Sequence, residues 1–158
     1  MSEAGRILGV DYGTVRVGLA VSDPERKIAF PLAIYERRGR EKDAAYFREL
    51  VREEQPALLV VGLPAHLSGA EGQKAAEARA FGNWLREVTG LPVVFWDERF
   101  TTVEAESALG SAGLTHKKRK QRRDKVAAQM LLQSYLDAGC PPEQPPGPLD
   151  GGGSRRGE

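Results

Sequence analysis

The chain has 158 residues, which suits one domain with a real core. Its 23 basic and 22 acidic residues nearly cancel, so overall charge argues neither for nor against nucleic acid, and local clusters must decide. Cys140 is the single cysteine, which excludes an intrachain disulfide and points to a reducing compartment; no apolar run nears the ~20 residues of a membrane span, and the polar N-terminus runs straight into a strand-like segment, so a soluble cytoplasmic protein without a membrane partner is expected.

Arg6 to Asp11 (RILGVD) reads as a buried strand. In Thr14 to Ser22, Val15, Val17, Leu19 and Val21 alternate with Arg16, Gly18 and Ala20, the period of a strand. Tyr12-Gly13 between them suits a tight hairpin, with Gly13 free to take positive φ. A third strand is expected over Ile28 to Glu36, after the Asp23-Pro24 turn. Glu41 to Glu54 has helical spacing through Ala45, Phe47, Leu50 and Val51. Leu58 to Gly62 (LLVVG) is short and wholly apolar, as a central parallel strand is. Ser68 and Glu71 have the spacing of a capping box, which predicts a helix running to Thr89 and stopped by Gly90 and Pro92. Val93 to Trp96 is another buried strand, and Thr101 with Glu104 predicts a short helix to Ala112. Gly113 to Arg123 (GLTHKKRKQRR) reads as a basic connector, and Asp124 to Ala138 as a helix. The Pro/Gly-rich Pro141 to Glu158 reads as disordered, which divides the chain into a domain over 1–139 and a tail over 140–158.

Three antiparallel strands followed by two strand-helix units predict an α/β fold. Right-handed crossovers give a mixed five-stranded sheet of order 3-2-1-4-5 with flanking helices. Ligands in such sheets sit beyond the carboxyl ends of the parallel strands. Asp11 ends the first strand and Asp97-Glu98 closes the fifth, so topology brings them to one edge; Arg16, opening the second strand, faces the same edge. Asp124 shares a helix face with Ala128, Leu131 and Tyr135, at the top of a stripe expected to pack on the sheet, where Gly18 and Ala20 leave room. Converging carboxylates repel unless a cation neutralises them, and hard oxygen donors suit Mg2+ or Mn2+. Lys117, Lys118, Arg119, Lys120, Arg122 and Arg123 beside Asp124 are suited to holding a phosphate backbone. Taken singly these residues have plainer roles: Asp11 a turn residue, Asp124 an N-cap, the basic run a solvated loop.

Four motifs in order, VDYGTVRVGLAVSD, VVGLP followed by GAEG, DERFTTVEAE and KQRRDKVAAQMLLQSYL, resemble the YqgF/RuvX family. The resemblance implies an RNase H-like fold and an endonuclease related to Holliday junction resolvases, acting in maturation of the 5′ end of pre-16S rRNA. It places the family's acids on Asp11, the Asp97-Glu98 pair and Asp124, and likeness to the resolvases favours Glu98 over Asp97. Asp11, Glu98 and Asp124 are then the expected catalytic and metal-binding residues, with Arg16, Arg99 and the basic run binding substrate. Branched DNA is the alternative substrate, and a catalytically silent nucleic-acid-binding module the alternative role. An actin-like ATPase would need a second domain. No aromatic stacking pair is evident from the sequence, so RNA and DNA are not distinguished, and the oligomeric state is open.

Overall fold

The computed structural model describes residues 5–64, 72–98 and 116–142, with side chains of 116–125 excepted. Strands β1 (Ile7–Asp11), β2 (Arg16–Ser22) and β3 (Ala29–Glu36) are followed by helix α1 (Arg40–Glu54), strand β4 (Leu58–Leu63), helix α2 (Gln73–Thr89), strand β5 (Val93–Asp97) and helix α3 (His116–Asp137). The sheet order is β3-β2-β1-β4-β5, as the crossover argument requires. β2 is antiparallel to β1 and β3, while β4 is parallel to β1 and to β5.

The pleat sorts the strands into two cores. Leu8, Val10, Val17, Leu19, Leu59, Val61 and Phe95 point to the face covered by Phe47 of α1 and by Phe81 and Leu85 of α2. Ile7, Ala20, Val60 and Trp96 point to the other, under Ala128, Leu131, Leu132 and Tyr135 of α3. Burying each such leucine contributes about 2 kcal/mol. Close approach of α3 is accepted at Ala20 and at Gly9, where an added Cβ would stand 2.9 Å from Leu132 Cβ. The edge strand is tied to the same helix: Ala29 N–H donates to Gln133 Oε1 (2.9 Å), and Gln129 Nε2 donates to the Ala29 carbonyl (3.0 Å).

Several expectations change. α3 begins at His116, not Asp124, so Lys117 to Arg123 form its first turns rather than a connector. Lysine, arginine and glutamine are good helix formers, and a charge run without apolar spacing hides that propensity. α2 begins at Gln73 with Gly72 as its N-cap, later than the Ser68–Glu71 spacing predicts. On α1 it is Ala44, not Ala45, that is buried with Phe47 and Leu50. The β1–β2 connection spans residues 12–15. Gly13 there does not have positive φ; glycine is needed for space, because a Cβ would collide with the Arg16 carbonyl oxygen. The expected helix from Thr101 to Ala112 lies outside the described residues, as do Ser68, Glu71, Arg99 and the tail beyond Pro142.

Candidate active site

β1, β4 and β5 are parallel, so their carboxyl ends meet along one edge. Asp11 ends β1 there, opposite Gly18 of β2, and Asp97 ends β5 opposite Leu63 of β4. Side chains alternate along a strand. Asp97 follows Phe95 onto the α1/α2 face, and Glu98 follows Trp96 onto the α3 face, the face of Gly9 and hence of Asp11.

The two carboxyls meet. The Glu98 and Asp11 carboxyls lie within hydrogen-bonding reach of each other. Burial pushes the Glu98 carboxyl above its ordinary range, the hydrogen bond with Asp11 works against that rise, and the charge of Asp97 adds to it.

Gly62, in the central strand between the two acids, makes the room. An added Cβ would stand 2.6 Å from Glu98 Oε2 and 3.0 Å from Leu131 Cδ2. Leu131 thus brings α3 against the same spot. Position 124 lies one turn before Ala128 on the stripe of Ala128, Leu131 and Tyr135. Asp124's side chain is outside the described residues, as are those of Lys117, Lys118, Arg119, Lys120, Arg122 and Arg123. Among the described residues no group of three acids, histidines or cysteines forms a metal-holding cluster.

A cleft of about 410 Å³ opens beside Asp11, and Arg16, Tyr12, Pro64, Lys74 and Glu77 line it. Arg16 is therefore where the sequence places it. Lys74 and Glu77 were not anticipated. Their signal was topological: α2 follows β4, whose carboxyl end borders the site, so its first turns border it too.

Comparison with known proteins matches this geometry to a family. The family model described as RuvX, Holliday junction resolvase, matches residues 5–138. A Rhodopirellula baltica protein named "Putative pre-16S rRNA nuclease" is 51% identical over 134 residues, covering 85% of this chain and 78% of that one. A Moorella thermoacetica protein of the same name is 46% identical over 132 residues, covering 84% and 94%. Among solved structures, the chain is similar to Thermus thermophilus RuvC in complex with Holliday junction substrate (TM-score 0.55, 19% identity, 90% of this chain and 99% of that one). It is also similar to fowlpox virus resolvase in complex with Holliday junction DNA (TM-score 0.52, 14% identity, 86% and 99%). These structural likenesses establish the RNase H-like fold, and the family match with the close relatives establishes that the chain belongs to the RuvX family.

Proposed function

We propose that this chain is a divalent-metal-dependent endonuclease of structured nucleic acid, acting in maturation of the 5′ end of pre-16S rRNA. The observation that carries this is the Asp11–Glu98 pair: two carboxyls pressed together at the sheet edge, with Glu98 pushed toward its neutral form by burial. Hard oxygen donors brought together, with Gly62 letting the Glu98 carboxylate lie at the sheet edge, fit Mg2+ or Mn2+. Asp11, Glu98 and Asp124 would hold the ion. Such an ion, when bound, activates water and neutralises charge developing on a phosphodiester.

The chain's own residues hold and orient the substrate. Arg16 and Lys74 line the cleft beside Asp11, where they attract a phosphate. Arg99 follows the Glu98 position and is assigned the same role. The first turn of α3 contains no acid and begins His116, Lys117, Lys118, Arg119. A helix N-terminus is already the positive end of its dipole, so clustering lysine and arginine there is unfavourable in the free chain and is relieved by a polyanion. The names of the relatives favour the rRNA precursor, and a cytoplasmic location goes with that substrate in this reading. The family's own description favours a second substrate, branched DNA. Symmetric cutting of a junction takes two active sites and hence a dimer.

The test is incubation of purified protein with pre-16S rRNA and with a four-way junction, each with magnesium, manganese or chelator. Metal-dependent cleavage at the 5′ side of the rRNA precursor is expected. Cleavage of the junction alone would move the substrate to DNA, and binding without cleavage of either would leave a silent binding module.

A further inference from the structure

We propose that a second cleft, floored by Tyr12, Phe81 and Trp84, binds the base of an unpaired nucleotide adjoining the bond cut at Asp11–Glu98. The position of that nucleotide rests on the endonuclease reading; the chemistry of the cleft does not.

The cleft encloses about 380 Å³, and Arg37, Arg40 and Glu77 complete its walls. Tyr12 and Glu77 also line the cleft beside Asp11, so the two clefts adjoin and share a wall. Tyr12 is the residue after Asp11, and its ring packs on the α1/α2 side of the sheet edge, so the cleft that both residues line leads from the carboxylates round to the ring. The floor is a chain of rings: Tyr12 to Phe81 at 5.0 Å between centroids and Phe81 to Trp84 at 5.5 Å. Phe81 is buried, whereas Tyr12 and Trp84 are half-exposed and have ring surface to offer.

The Arg37 guanidinium lies over the floor, 5.6 Å from the Tyr12 centroid and 5.1 Å from that of Phe81. Asp43 holds it at 3.3 Å, and it donates to the Tyr12 hydroxyl at 3.4 Å and the Gly13 carbonyl at 3.5 Å. A platform fixed in this way costs little entropy to bind against. Aromatic rings and a planar guanidinium together offer stacking surfaces that suit the π-face of a nucleobase. Arg40 is exposed at the rim, where it meets the charge of the nucleotide's phosphate. Glu77 disfavours phosphate between the two clefts and offers an acceptor to a base amino group.

The experiment uses the full chain carrying Asp11→Asn, so that binding is separated from cleavage. Trp96 is 6% exposed and donates its indole N–H to Ser134 Oγ at 2.9 Å, so quenching of tryptophan fluorescence by a ligand reports Trp84. The probes are a single-stranded oligonucleotide and one of equal length with abasic sites. The base-containing probe is expected to quench and to bind more tightly, by about fivefold or more per stacked base. Trp84→Leu should remove that advantage, and Trp84→Phe should keep it while losing the quench. Equal binding of the two probes by the chain with Trp84 intact would overturn the proposal, and so would undiminished preference in a folded Trp84→Leu protein. Base-dependent binding, with no cleavage of any substrate by the wild type, would support this cleft while rejecting the endonuclease. Cleavage without base dependence would do the reverse.

Discussion

The Glu98 carboxylate lies over Gly62, where a side chain of any size would compete with it. An added Cβ would stand 2.6 Å from Oε2, 3.1 Å from Cγ and 3.0 Å from Leu131 Cδ2. A glutamate end can swing away more easily than a backbone can move, so Gly62→Ala should displace the carboxylate from Asp11 and leave the sheet intact. Cleavage should fall roughly tenfold to a hundredfold, with nucleic-acid affinity nearly unchanged, because a small misplacement is costly in catalysis. Full single-turnover activity in the folded variant would show that Glu98's position over Gly62 does not matter.

The paired acids predict opposite effects on activity and stability. Asp11→Asn and Glu98→Gln should each abolish cleavage. Burial raises the Glu98 pKa above its unfolded value, so ionised Glu98 opposes folding, and the opposition grows as pH rises through the folded value. In chelator at neutral pH, Glu98→Gln should therefore melt a few degrees higher than wild type. Saturating Mg2+ should narrow the gap by stabilising wild type. A lower melting temperature for the variant in chelator would contradict the shift.

The basic first turns of α3 should act on affinity rather than on bond breaking. Replacing Lys117, Lys118 and Lys120 with alanine should weaken binding, and each lost phosphate contact should flatten the log–log salt slope by roughly 0.7 to 0.9. Saturating substrate should restore most single-turnover cleavage, whereas it should not rescue Asp124→Asn. An unchanged slope would show that these residues are a solvated face.

Asp43 is the buried acid of the other core, 1% exposed. It accepts from the Tyr35 hydroxyl (2.6 Å), the Arg38 amide (2.9 Å) and Arg37 Nε (3.3 Å). Burial pushes its carboxyl up, but these donors outweigh burial, and its pKa lies below the ordinary value. Burial and the bond to Asp43 push the Tyr35 hydroxyl up to about 12. A depressed carboxylate stabilises the fold above its unfolded pKa, and that contribution disappears as pH falls through its folded value. Asp43→Ala should cost about 2 kcal/mol at neutral pH and less in acid. Urea melts at both values provide the measurement, and an equal loss at each would remove Asp43 from the acid response.

The last described residues are tied back to α3 by a hydrogen bond. Tyr135 is buried, and its hydroxyl donates to the Pro141 carbonyl at 2.6 Å. Ending the chain after Pro142 should leave melting temperature and activity at wild-type values. Ending it after Cys140 removes the acceptor and should cost about 1 kcal/mol. Equal melting temperatures for the two truncations would mean that water replaces Pro141.

Local periodicity and punctuation determined much of this protein. Alternation in TVRVGLAVS, the apolar LLVVG and VVFW runs and the turn at Asp23-Pro24 were enough to order the sheet and to bring Asp11 and Glu98 to one edge. Between Asp97 and Glu98 the residues alone did not choose, and likeness to the resolvases favoured Glu98; in the fold it is Glu98 that lies on the α3 face, against Gly62 and Leu131. The start of α3 was not legible, because a run of lysines and arginines has helix propensity but no apolar stripe to reveal it. Nor was the aromatic floor: Tyr12, Phe81 and Trp84 come from a turn and a helix distant in sequence, and Arg37 from a third segment. Gly62 reads in sequence only as a small residue in a strand, and its role as the space for a carboxylate exists only once β5 and α3 pack beside it. Periodicity reports which side of an element faces the core; which groups then meet is decided by long-range packing, and here that packing positioned the acids and built the cleft beside them.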